Sequence, residues 1–110
     1  MRSYFVRQRS EFAAATERRA AALRERLPSL VMALGELGAE RVWLFGSLVW
    51  GGMHPESDLD IAVAGLPAGR FFEAYERLWS LAGEPVDLLA IETAPESLRR
   101  RIEETAERLR

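Results

Sequence analysis

Cysteine is absent from the 110-residue chain. That excludes a disulfide framework and any thiolate metal site, and it fits a reducing compartment. No apolar run is long enough to span a bilayer. The opening MRSYFVRQRSEF lacks the continuous apolar stretch of a secretory signal. The expectation is a soluble cytoplasmic protein without membrane association. Lysine and asparagine are missing too, and all 15 basic residues are arginine. A GC-rich genome, or a heat-adapted one poor in labile amides, accounts for that bias. Its consequence is that any cationic contact to phosphate must come from arginine. The net charge of −2 argues against direct nucleic-acid binding. Aspartate is scarce as well: Asp58, Asp60 and Asp87 are all there is.

What is present suffices for one domain with a core of its own. Residues 4 to about 26 are rich in Ala, Glu and Arg and favour helix, with a thin apolar stripe that suits a solvated surface. Pro28 interrupts the pattern and is expected to open a second helix. There Leu30, Val31, Leu34 and Leu37 repeat at helical spacing, and Gly38 is a plausible C-cap. RVWLF, 41–45, reads as a buried strand. GSLVWGG reads as a tight turn into a short helix. SDLDIAVAG, 57–65, alternates, with Leu59, Ile61 and Val63 on one face and Asp58 and Asp60 on the other. A helix is expected over 70–83, its core face carrying Phe71, Tyr75, Leu78 and Trp79. PVDLLAI, 85–91, reads as a third strand. The charged segment from Pro95 to the end reads as a final helix, with Thr93 a possible cap. The expected class is α/β or α+β: a small mixed three-stranded sheet packed with helices.

Two aspartates on an otherwise apolar strand call for a reason, because aspartate is a poor strand former. Residues two apart on a strand point the same way, roughly 7 Å between Cα atoms. Asp58 and Asp60 would repel when both are ionised unless a cation sits between them. Oxygen ligands of this kind favour Mg²⁺ or Mn²⁺ over zinc. If the third strand lies beside this one, Asp87 joins the cluster. Gly46-Ser47 follows the first strand and opens the short helix, a place suited to phosphate. The whole pattern is strand, Gly-Ser, ten residues, Asp-x-Asp in a strand, and an aspartate in a later strand.

That pattern resembles the DNA-polymerase-beta-like nucleotidyltransferase superfamily, and its size and spacing are most similar to the minimal nucleotidyltransferase (MNT) branch. The resemblance covers about residues 30 to 91. It implies a nucleotidyltransferase fold in which Gly46 and Ser47 hold a nucleoside triphosphate and Asp58 and Asp60 bind divalent metals. Asp87 would complete the metal site and help deprotonate the attacking hydroxyl. On this view residues 1–28 are a helical extension, 29–92 a catalytic core and 93–110 a C-terminal helix. The chain departs from many relatives by carrying Trp50 where they have an arginine three residues after the serine. Leu48 stands where others are often basic. Arg41, Arg70 or a partner's residues are the candidate replacements.

Plainer readings exist for each feature. Asp58 and Asp60 could face solvent at a strand edge, Asp87 could be a surface carboxylate, and Gly46-Ser47 an ordinary turn. His54, the single histidine, is expected to be a solvent-exposed loop residue. Trp43, Trp50 and Trp79 are expected in the core, and the run Arg99–Arg101 on a solvated helix face. The chain has no length for an acceptor-binding domain, so the site is expected to need a second protein, another copy or a partner. The resemblance implies the antitoxin of a two-gene module whose partner is a HEPN-type toxin, with AMP passing from ATP to a toxin hydroxyl. Two other functions fit the same residues: an antitoxin acting by binding alone, and a transferase for a small molecule of the aminoglycoside kind.

Overall fold

A computed structural model describes residues 2–110, with side chains from residue 8 onward. Its longest element is a single helix, α1, Arg2–Glu36, with Pro28 inside it. The expected break at Pro28 is therefore absent. Proline in a helix interior costs about 3 kcal/mol. Set against that, Leu23, Leu27, Leu30 and Leu34 recur at helical spacing on both sides of Pro28, and all are buried. Each such leucine contributes about 1.5–3 kcal/mol, so the buried stripe outweighs the lost hydrogen bond. Pro28 itself faces solvent. From residue 8 to residue 22 no side chain is buried, and this half of the helix is the solvated one its composition suggests. A helix of this length spans roughly 50 Å, which sets the 56 Å long dimension of the molecule.

The sheet has four strands in the order β3-β2-β1-β4, one more than the sequence led us to expect. β1 is Arg41–Phe45, β2 Leu59–Ala64, β3 Val86–Ala90 and β4 Glu107–Arg108. β1 is antiparallel to both β2 and β4, while β2 and β3 run parallel. The sheet is thus mixed, as expected. Between β1 and β2 lies the four-residue helix α2, Ser47–Trp50. A 3-10 turn, Ala68–Arg70, leads into α3, Phe71–Ala82. A second 3-10 turn, Ile91–Thr93, precedes α4, Glu96–Thr105.

Two apolar layers sandwich the sheet. Val42, Leu44, Leu59, Ile61, Val63 and Val86 face α1 and α3. Trp43, Ala62, Ala64 and Leu89 face α4 through Ile102 and Leu98. The period of two along β2 therefore sends Leu59, Ile61 and Val63 to one layer and Asp60 to the α4 side. α3 ends at Gly83, whose φ of 71° supplies the left-handed cap. Its buried face is Ala74, Leu78 and Ala82: Leu78 is in the core as expected, while alanines take the place of Phe71, Tyr75 and Trp79. Small residues at the contact let a helix approach its neighbours closely, and here they displace the rings. Phe72 and Trp79 are exposed. Trp79 is thus no core residue, although its indole N–H still donates to the Val86 carbonyl at 3.2 Å.

The C-terminal segment is the other correction. Helix was expected to its end, but the backbone turns extended at Ala106. Val42 accepts from the amides of Leu109 and Arg110 at 2.8 and 3.2 Å, and its own amide donates to the Arg110 carbonyl at 3.3 Å. The edge of β1 presents buried polar backbone that must be paired, and the tail pairs it. Arg24 adds a two-bond clamp to Glu107, both contacts at 3.0 Å. No helix among the described residues is long and apolar enough to cross a membrane.

The uninterrupted α1 makes a direct prediction. Pro28→Ala restores one backbone hydrogen bond at an exposed position and should raise stability by about 1–3 kcal/mol, read as a higher denaturation midpoint. A lower midpoint would show that α1 is bent or broken at residue 28.

Candidate active site

The parallel pairing of β2 with β3 sets Asp60 directly opposite Asp87. Neighbouring strands lie about 4.8 Å apart, so the two carboxyl groups are close enough to interact. Asp58, two residues earlier on the same side, sits just before β2 begins. Asp60 is half-buried, whereas Asp58 and Asp87 are exposed. The cluster is therefore one sunken carboxylate flanked by two open ones. Burial, then the close approach of Asp87, then the charges of Asp87 and Asp58 push the Asp60 carboxyl up to about 6. This is the cost of half-burying a carboxyl beside two others.

The antiparallel register between β1 and β2 places Phe45 opposite Asp60, so the next residue, Gly46, comes against the aspartate. Gly46 has φ +78°, a conformation that disfavours any side chain. A Cβ there would also run into the Asp60 carboxylate, with Asp60 Cγ only 2.8 Å away. Glycine is needed twice over: to make the turn and to leave room for the acid. The Gly46 carbonyl accepts from Val49 and Trp50 at 3.1 and 2.8 Å, which winds α2. The amides at the very start of such a helix have no intrahelical acceptor. Ser47 turns its hydroxyl toward the Met53 sulfur at 3.6 Å. The Gly-Ser turn and the Asp60–Asp87 pair thus adjoin.

Among the described residues no three His, Cys, Asp or Glu side chains form a ready metal cage. Asp58 is paired instead, its Oδ1 3.3 Å from the Arg19 guanidinium. Asp60 and Asp87 bring oxygen donors side by side. Hard oxygen donors of this type suit Mg²⁺ or Mn²⁺, and Asp58, Asp60 and Asp87 are the residues that would hold such an ion.

Sequence reasoning missed Arg19 and Glu84. Arg19 leaves α1 to donate through Nε to the Ser57 carbonyl at 2.8 Å and to both carboxylate oxygens of Glu84. Arg26 also donates to Glu84, at 2.6 Å. Nothing in the run ERRAAALRER distinguishes one arginine from the next. The only cue was Glu84 in the short turn three residues before Asp87.

The candidate replacement cations lie elsewhere. Arg41 pairs with Ala64 at the opposite end of β1 from Phe45, roughly 13 Å along the strand. It lies 5.2 Å from the Trp43 ring. Arg70 donates to the Leu37 carbonyl at 3.4 Å. The cation that reaches α2 is Arg101, seated 3.8 Å from the centre of the Trp50 ring. Trp50 is half-buried, donates to Thr105 at 3.0 Å and packs against Phe45. Trp43 is in the core. Arg99 and Arg100 pair along α4 with Glu103 and Glu96. His54 is exposed, its Nδ1 accepting the Glu56 amide at 3.1 Å.

Residues 36–109 match the family described as polymerase beta, nucleotidyltransferase. The chain belongs to this nucleotidyltransferase family. Its fold also matches a solved structure described as a minimal nucleotidyltransferase. The two are 30% identical with a TM-score of 0.68, the match covering 82% of this chain and 95% of that one. A toxin–antitoxin structure with AMP-PNP matches at 26% identity and TM-score 0.60, covering 71% and 67% of the two chains. A third match is a tri-AMPylated Shewanella oneidensis HEPN toxin in complex with its MNT antitoxin. It has 22% identity and TM-score 0.60, covering 78% and 70%, and at that identity it speaks for the fold alone. No curated protein sequence matches significantly. The nucleotidyltransferase match begins at residue 36, so most of α1, Arg19 included, lies outside it.

The Arg19–Glu84 pair predicts a pH dependence of stability. Hydrogen bonding to Arg19, against burial and helped by Arg26, holds the Glu84 carboxyl below its ordinary value of 4.5. A carboxyl lowered on folding adds stability above its unfolded value, and that stability is lost as pH falls through the folded one. At pH 7 Glu84→Gln should be less stable by about 1 kcal/mol. The gap should close as pH drops below 4.5, as read by denaturant titration across pH.

Proposed function

We propose that this nucleotidyltransferase is metal-dependent and transfers AMP from ATP to a hydroxyl of a partner protein, as the antitoxin of a HEPN/MNT pair. The observation that carries this reading is the Asp60–Asp87 pair set against the Gly46-Ser47 turn. The polar groups a triphosphate and a hard cation require adjoin there. The matched toxin–antitoxin structure with AMP-PNP supports a nucleotide substrate, and the resemblance to the MNT branch supplies the acceptor class.

In this reading the turn backbone and the Ser47 hydroxyl donate to the triphosphate oxygens. Asp58, Asp60 and Asp87 hold Mg²⁺ or Mn²⁺, which when bound neutralises charge on the phosphates. Asp87, exposed like Asp58, would take the proton of the attacking hydroxyl. The acceptor oxygen forms a bond to the α-phosphorus, the bond from that phosphorus to the bridging oxygen breaks, and pyrophosphate leaves. The added nucleotide is bulky and anionic, and it would oppose RNA in a toxin's cleft.

A second reading is an antitoxin that acts by contact alone, favoured by Trp50. Its indole is packed under Arg101 and bonded to Thr105 at a position where a free cation would serve a triphosphate better. One experiment separates the two. The protein is mixed with ATP, Mg²⁺ and the product of the neighbouring gene, and the partner is weighed. A mass gain of one nucleotide monophosphate, lost in Asp58→Ala, is the expected result. Neutralisation of the partner that survives Asp58→Ala with no mass change supports contact alone. Labelling of an aminoglycoside without any partner points instead to a small-molecule transferase.

Asp60→Asn should abolish divalent binding yet leave the fold intact or more stable, because it removes a like-charge contact. Calorimetric titration with Mn²⁺ and a thermal melt check both halves; an unchanged Mn²⁺ affinity contradicts the assignment.

A further inference from the structure

We propose that Arg19, on the solvated half of α1, is the positioning residue for Asp58, with Glu84 holding its guanidinium in place. This rests on the nucleotidyltransferase reading of the site and names a part of it that lies outside the family's matched residues.

The geometry is that of a bracket. Arg19 sits 38 residues before Ser57 in sequence, yet Nε donates to the Ser57 carbonyl at 2.8 Å. One terminal nitrogen reaches Asp58 Oδ1 at 3.3 Å, and both terminal nitrogens contact Glu84. Arg19 is mostly shielded, with its side chain 20% exposed. A planar guanidinium can hold several acceptors at fixed angles, which an ammonium cannot. The segment it grips is itself tied. The Ser57 amide donates to the His54 carbonyl, and the His54 amide donates to the Ser57 hydroxyl, both at 3.0 Å. Ser57 is 6% exposed, a buried polar residue in this loop.

Asp60 needs no such help, because both neighbours of its strand fix its backbone. Asp58 precedes the strand, and its carboxylate is half open to solvent. Without a bracket it would sample several rotamers. Carboxylates that ligate metals are themselves oriented by hydrogen bonds, and loss of such a partner typically weakens metal affinity 10–100-fold. Glu84 offsets much of the arginine's charge, so Arg19 can stand beside a cation site without strongly repelling the cation. One oxygen of Asp58 meets Arg19, which leaves the other to turn toward Asp60 and Asp87.

The test uses the full chain, with Mn²⁺ alone as the probe. Affinity is measured by calorimetry, and amide hydrogen exchange at His54 and Ser57 is measured without metal. Arg19→Ala, with a melting temperature near that of the wild type, should bind Mn²⁺ about tenfold more weakly and exchange faster at both amides. Arg19→Lys keeps the charge but not the fork, so it should lose affinity as well. Unchanged or tighter Mn²⁺ binding in folded Arg19→Ala overturns the proposal. Full affinity in Arg19→Lys does too, since charge alone would then suffice. If Arg19→Ala does not fold, Arg19→Lys carries both measurements. Should the wild type bind no Mn²⁺, the metal-dependent reading of the site fails. In that case slow, unaltered exchange in either variant also removes the bracket.

Discussion

The parallel seam between β2 and β3 governs the rest of the molecule. It brings Asp60 and Asp87 level, although 26 residues separate them in sequence. It also fixes α3 as the crossover between the two strands. A slip of one residue in this pairing would send one aspartate to the opposite layer. The buried run Leu59, Ile61, Val63 and Val86 guards against that slip, since a shifted register would expose it. Packing on the α1–α3 side thus holds the chemistry on the α4 side in register.

Charge and geometry are balanced by a small number of residues. Burial first, and the neighbouring acids after it, raise the Asp60 carboxyl. Glycine at position 46 lets Asp60 come close to the turn, and β1 supplies a rigid base beneath it. On the outside of the cluster, a chain of opposite charges runs from Arg26 through Glu84 and Arg19 to Asp58. It ties the long helix to the entrance of β2. This network is local to the strand entrances, where the backbone has the fewest sheet partners to steady it.

Much of this was legible in the sequence, and the illegible parts share a cause. The strands β1, β2 and β3, the turn at Gly46 and the same-side placement of Asp58 and Asp60 follow from alternation and from residues with narrow conformational roles. Pro28 misled because its local preference is strong, while the leucines that overrule it act through α3 and the sheet. β4 was hidden inside a helical composition, because its extended form depends on an unpaired edge of β1 that no local pattern announces. The burial of Ala74 and Ala82 in place of aromatic rings reflects how closely α3 approaches its neighbours. Arg19 looks like any surface arginine until the fold carries Ser57 and Glu84 to it.

The indole of Trp50 has a last consequence. It is stacked beneath a guanidinium, bonded to a threonine of α4 and placed at the end of the turn that follows Gly46. Light emitted by an indole depends on the cations and polarity around it. Of the other two indoles, one is shut inside the sheet and one rests on the outer surface of α3. Any occupant of the turn that draws Arg101 away would therefore alter the glow of Trp50 first. The molecule has a built-in optical gauge beside the Gly46 turn, readable without a label.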